Sequence, residues 1–256
     1  MAQGRSDRMP STDWSLWPVL AAPFIGSFLG LLAVRLPKGR PIVAGRSACD
    51  QCGQVLKLAD LVPIASWLAA HGRCRHCGSR VSPLYPSIEL GAVLIAIWAA
   101  SVAQGPMLWI SCVLGWDLLT LAVIDWREGI LPDGLTLPLL PLGLFAAYLA
   151  AVDRVWPHAL GAMAGFVAFA LIRWGYRRLR GREGLGFGDV KLLAAAGAFV
   201  SWEGLPSVVL IAAVIGLALA LPRSLTGRGL ALDDRLAFGP ALCLGLWLVW
   251  LYGPFG

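Results

Sequence analysis

Eight apolar stretches divide this chain, at about residues 16–34, 86–103, 107–124, 135–152, 157–174, 188–202, 205–221 and 237–252. An apolar run of roughly twenty residues is the length a helix needs to cross the hydrocarbon core of a bilayer. Within that core every backbone N–H and C=O must be satisfied internally, which leaves helices and closed barrels as the only spanning structures. Only 14% of the residues are charged, where a soluble domain carries about 25%. The expected fold is therefore an all-α polytopic membrane protein. Several runs are short or contain Pro and Gly, so the bundle is expected to have seven or eight transmembrane helices. Runs near fifteen residues still cross where neighbours shield them or the bilayer thins.

The basic residues set the orientation. All 21 Lys and Arg residues except Arg5, Arg8 and Arg154 fall on one side of this arrangement. The side rich in Lys and Arg is the cytoplasmic one. The long loop 35–85 is then cytoplasmic and both chain ends face outward. The net charge of +6 is a topology signal, since no groove-reading motif for nucleic acid accompanies it. The glycine-rich basic loop 173–187 is read the same way first, and second as a guide for an acidic substrate or lipid head groups. Arg5 and Arg8 precede a run of about 19 residues with no small-x-small cleavage site, which predicts a retained span behind a polar outer tail. The expected division is 1–36 (tail and first span), 37–85 (cytoplasmic domain) and 86–256 (membrane domain).

Four of the six cysteines lie in the 37–85 segment, as Cys49-x2-Cys52 and Cys74-x2-Cys77 with 21 residues between the pairs. A segment this short seldom holds a core without a staple, and a reducing compartment disfavours disulfides. Two such knuckles, each followed by Gly (Gly53 and Gly78), predict a structural Zn2+ held by four thiolates. The alternatives are reduced, metal-free thiols or a redox pair. Four thiolates complete the shell, so His71 and His76 are expected to be solvated or supporting groups. Cys112 and Cys243 lie inside apolar runs and read as small hydrophobes.

The acidic residues that matter sit at the edges of the apolar runs. Gly184-Leu185-Gly186-Phe187-Gly188-Asp189-Val190-Lys191 brings a carboxylate behind alternating glycines to the start of a span. An ionisable group there is a functional candidate by default. Asp125 closes the third span at the same expected depth, so Asp125 and Asp189 can meet across the bundle. Two adjacent carboxylates share a proton, and such a pair hydrolyses peptides: the ionised member takes a proton from water while the protonated member polarises the carbonyl. Gly186 and Gly188 would admit an extended peptide against the backbone, and Lys191 would bias the pair or meet an acidic side chain. Asp117 lies roughly 12 Å deeper at 1.5 Å per residue and is a supporting or alternative proton site. Asp133, after Pro132, reads first as a helix N-cap. Glu89 is either functional or a helix N-terminal acid. Asp233-Asp234 read as a solvated face. No phosphate loop, dinucleotide fingerprint or Ser/His/Asp set is present.

These residues also carry a resemblance. The chain resembles the type IV prepilin peptidases over about residues 24 to 249. The matching segments are Gly26-Ser27-Phe28-Leu29 with Arg35-Leu36-Pro37, Gly45-Arg46-Ser47, and Asp60-Leu61-Val62-Pro63-Ile64-Ala65-Ser66-Trp67. They continue with Gly72-Arg73-Cys74-Arg75-x-Cys77, Tyr85-Pro86-x2-Glu89, Ile124-Asp125-x6-Pro132-Asp133, Gly186-Phe187-Gly188-Asp189-Val190-Lys191 and Phe238-Gly239-Pro240. The resemblance implies that Asp125 and Asp189 are the catalytic pair of a GxGD-type aspartyl protease in the bacterial inner membrane. Its substrate would be a prepilin or pseudopilin, cut at the cytoplasmic face after a glycine. It also implies methylation of the new N-terminal residue with S-adenosylmethionine, the cysteine knuckles belonging to the part associated with that step. Two departures stand out: Gly30 and Asp50, where the family usually has Asn and Pro. The rival readings are a peptidase that does not methylate, a proton-coupled transporter using Asp117, Asp125 and Asp189, and a structural membrane subunit. The sequence leaves the oligomeric state and the S-adenosylmethionine site open.

Overall fold

A computed structural model describes residues 16–42, 47–49, 51–181, 184–225 and 238–255. The expected outer tail, Gly45-Arg46, Asp50 and the Asp233-Asp234 loop lie outside the described residues. The described chain is helical, with only two isolated bridges and no strand among those residues. Its helices are α1 (Leu16–Arg35), α2 (Ala65–Ala69), α3 (Leu84–Val102), α4 (Gly105–Glu128), α5 (Asp133–Ala150), α6 (Val155–Arg180), α7 (Phe187–Leu225) and α8 (Gly239–Tyr252).

Six of these helices are long and apolar enough to cross a membrane, and α8 is a shorter apolar helix. Each of the eight apolar stretches lies in a helix, two of them in α7. Ser201 interrupts α7 with φ 60°, a left-handed value unusual for a residue with a Cβ. Before the break, Phe199 stacks edge-on against Trp250 near the end of α8. After it, the Ser207 hydroxyl accepts from Phe255 N–H, and Gly216 comes back to Phe238 at the start of α8. Residues 187–200 and 202–225 thus run in opposite directions along α8. His158 Nδ1 stands 2.9 Å from the Ala198 carbonyl beside this reversal.

Small residues let the helices approach. A Cβ on Gly165 would lie 2.5 Å from the Leu193 carbonyl, and one on Gly161 would lie 2.6 Å from the backbone at Ser201. Close backbone approach of this kind is how helices associate where water supplies no hydrophobic drive. Gly26 does the same for α1, its Cβ position 2.6 Å from the Glu89 Cα. At Gly30, one of the two departures, a Cβ would stand 3.1 Å from the Tyr85 ring. Leu20, Phe24, Leu94, Phe145, Leu171 and Leu210 are each half exposed or more, the outward apolar surface that a lipid-facing bundle presents. The ends of α1, α4 and α6 and the starts of α3, α5, α7 and α8 gather at one end of the bundle. The 37–85 segment joins that same end.

Candidate active site and metal centre

Asp125 occupies the last turn of α4. The helix stops at Gly129, whose φ of 66° suits a glycine C-cap and whose N–H donates to the Asp125 carbonyl at 2.9 Å. Asp189 occupies the first turn of α7. The carboxylates are 7% and 8% exposed and lie within electrostatic reach of each other. The structure brings both carboxylates to the same end of the bundle, Asp125 from the end of α4 and Asp189 from the start of α7.

Glycines shape the space around them. Asp125 Oδ2 accepts the Gly239 N–H at 3.0 Å. A Cβ on Gly239 would sit 2.5 Å from that oxygen, so α8 reaches the carboxylate only because this residue has no side chain. A Cβ on Gly188 would meet the Leu131 Cβ at 2.6 Å, so the α4–α5 turn closes over the start of α7. At Gly186 the Cβ position is 3.0 Å from Asp189 Oδ2. Asp189 Oδ1 is buried with no hydrogen-bond partner among the described residues. A buried acceptor left open asks for a shared proton, a water or a substrate group.

The supporting residues divide. Lys191 Nζ donates to Asp133 Oδ1 at 2.5 Å and lies 4.7 Å from the centre of the Phe187 ring. Asp133 is the first residue of α5, and the cap position falls on Pro132 without a side-chain cap. Its carboxylate therefore ties α5 to α7 instead of capping its own helix, because Lys191 is within reach. Asp117 is half-buried two turns further along α4. Glu89 is 5% exposed, and its Oε2 accepts the Ile64 N–H at 2.6 Å. It serves the junction between α3 and the 37–85 segment, a role that spacing along the sequence did not show.

The cysteines form the second centre. In each knuckle a glycine in the left-handed region donates back to the first cysteine's carbonyl: Gly53 (φ 68°) to Cys49 and Gly78 (φ 70°) to Cys74, both at 2.9 Å. The two turns are copies of one geometry, and they point four Sγ atoms at one spot, all within 4.8 Å of one another. Cys49 and Cys77 are 3.8 Å apart, which matches the edge of a tetrahedron with Zn–S bonds of about 2.3 Å. Backbone N–H groups of Cys52 and Gln51 push the Cys49 thiol down to about 6, so a thiolate is available at neutral pH. The group fits a tetrahedral metal ion. His71 and His76 stay outside the cluster.

Comparison with known proteins follows the same division. Residues 112–221 match the type IV leader peptidase family, and residues 20–103 match the bacterial peptidase A24 N-terminal domain. The chain is 42% identical over 212 residues to the prepilin leader peptidase/N-methyltransferase of Burkholderia pseudomallei (strain 1026b), covering 82% of this chain and 68% of that one. It is 37% identical over 255 residues to a protein of the same name from Dickeya chrysanthemi, covering 90% of each. With that of Aeromonas hydrophila it shares 35% over 213 residues, 83% of this chain and 73% of the relative. No solved structure matches.

Proposed function

This chain belongs to the type IV leader peptidase family, and we propose that Asp125 and Asp189 are its catalytic pair, cutting the leader from a prepilin or pseudopilin. The observation that carries this reading is the burial of two carboxylates together at one end of the bundle, with Asp189 Oδ1 unpartnered. A water between them gives its proton to the ionised carboxylate as it attacks the scissile carbonyl. The protonated carboxylate donates to the carbonyl oxygen; on collapse of the diol the proton taken from water passes to the leaving amine and a hydroxyl proton returns to the other carboxylate. The lipid-shielded walls strengthen these interactions. The substrate's apolar helix would lie in the membrane with its leader reaching the cytoplasm, the side assigned to the site by the Lys and Arg distribution.

The chain also acts as an N-methyltransferase on the cleaved pilin, as the names of its relatives indicate. S-adenosylmethionine, when bound, supplies the methyl group to the new N-terminal amine. Cys49, Cys52, Cys74 and Cys77 would hold Zn2+ and fix the 37–85 domain; the membrane domain is 86–256. A proton-coupled transporter using Asp117, Asp125 and Asp189 is not favoured: Asp125 and Asp189 lie at one end of the bundle, and Asp117 is only two turns along α4 from Asp125.

Cleavage of a detergent-solubilised prepilin by wild type, Asp125→Asn and Asp189→Asn tests the pair. Wild type is expected to cut, and each folded variant to lose at least about a thousandfold in rate, as for loss of an essential acid or base. Normal cutting by either variant would remove that residue from the mechanism.

A further inference from the structure

The segment that aims Asp189 is poor in side chains that could fix it. Gly184, Gly186 and Gly188 alternate ahead of the carboxylate, and each glycine raises the entropy lost when a turn is held in one conformation. Two side chains remain between them. Leu185 packs against the core of the bundle. Phe187, the first residue of α7, is 45% exposed, and a ring so open to its surroundings fixes little by itself.

Neighbouring helices grip that ring. Its centre lies 5.1 Å from Arg173 Cζ of α6 and 4.7 Å from Lys191 Nζ, both within cation–aromatic range. Phe166 of α6 meets it edge-on, with centroids 6.4 Å apart. Lys191 stands one turn after Phe187 on α7 and so shares its face. Its Nζ also donates to Asp133 Oδ1, at the start of α5, at 2.5 Å. The Lys191 side chain is only 18% exposed, which sets this ion pair apart from the fully solvated pairs that contribute little. Asp189 lies two residues from Phe187 and two from Lys191, which turns it to the other side of the helix. One face of the first turn is thus tied to α5 and α6, while the other presents the carboxylate.

We propose that Lys191 is a positioning residue for leader cleavage: bound to Asp133 and placed over the Phe187 ring, it holds the glycine-rich turn in the setting that points Asp189 at Asp125. The proposal rests on the reading of Asp125 and Asp189 as the catalytic pair. Lys191 acts as a strut. Its charge is answered by Asp133, so it is not the charge that biases the pair or receives an acidic side chain of the substrate. Without the strut, Gly186 and Gly188 let the turn relax. A catalytic group displaced by about an ångström costs rate on the order of a hundredfold, while the membrane contacts of the substrate helix stay as they were.

The test is steady-state cleavage of a solubilised prepilin by the purified full-length chain in detergent, comparing wild type with Lys191→Met, Asp133→Asn and the two combined. Methionine keeps an unbranched chain over the ring and removes the charge; asparagine keeps the shape of aspartate. Thermal melting gives the folded fraction, so that rates refer to folded enzyme. Each single variant is expected to lose at least about tenfold in kcat, with KM within about twofold of wild type. The pH–rate profile is expected to keep its position. The double variant is expected to lose no more than the worse single one, because the two residues act through one contact. Losses that multiply in the double variant, or a loss confined to KM, would overturn the proposal. Opposite shifts of the pH–rate profile in the two single variants would also overturn it, since Lys191 would then act on the pair as a charge. If both variants cut at the wild-type kcat while Asp125→Asn and Asp189→Asn do not cut, the strut is wrong and the pair stands. If Asp189→Asn cuts normally, the pair falls and the strut with it.

Discussion

At the scale of single residues, glycine decides whether the carboxylates can work. Asp125 is oriented by one backbone N–H at the start of α8, and that N–H arrives only because residue 239 lacks a Cβ. In Gly239→Ala the new methyl would fall 2.5 Å from Asp125 Oδ2, so the carboxylate or the helix must move. Leader cleavage is expected to drop about a hundredfold, mostly in kcat, since a displaced catalytic group costs rate on that order. Steady-state kinetics on a solubilised prepilin would show it; an unchanged kcat would mean that the N–H contact is incidental. That Asp125 and Asp189 are candidates was legible in the sequence, because a carboxylate at the end of an apolar run has few bland explanations. The Gly239 contact was visible only as a hint in Phe238-Gly239-Pro240. The partner of Asp133 could not be read at all, since Lys191 is distant in sequence and spacing says nothing about which helices touch.

At the scale of elements, the described residues of the 37–85 segment have little regular structure: one five-residue helix, two short 3-10 turns and two isolated bridges. Such a segment cannot bury enough apolar surface to order itself. What orders it is the pair of matching turns that bring four thiols together. Metal removal with a chelator, or Cys52→Ser, is therefore expected to leave the membrane helices intact while 37–85 becomes protease-sensitive. Limited proteolysis with metal analysis checks this, and one zinc per wild-type chain is expected. Unchanged resistance after complete zinc removal would show that contacts with α1 and α3 suffice. The knuckles were legible because C-x2-C-G encodes a local turn. A cavity behind them was not, because its walls come from α1, α2, α3 and the loop together.

At the scale of the whole molecule, the reversal at Ser201 divides α7 into two antiparallel segments. It returns residues 202–225 to the end that carries the carboxylates, and α8 then runs back to the opposite end. With the Lys and Arg distribution, this predicts that Trp156, 70% exposed at the start of α6, faces the outer side. A membrane-impermeant maleimide is expected to label Trp156→Cys in right-side-out vesicles without detergent. Labelling confined to inverted vesicles would turn the topology over and put the proposed catalytic pair on the wrong side for a cytoplasmic leader. The sequence by itself determined the helical class, the positions of the apolar helices, the knuckles and the places of the two candidate aspartates at helix ends. Each of those is a local property of a run of residues: hydropathy, turn chemistry, or a charge where charge is costly. Only the tertiary structure decided that α4, α7 and α8 converge on one pair of carboxylates, and that Glu89 serves the junction between α3 and the 37–85 segment rather than joining them. Helix neighbours in a bilayer are chosen by close packing at residues such as Gly26, Gly161 and Gly165, and hydropathy is the same on every apolar face.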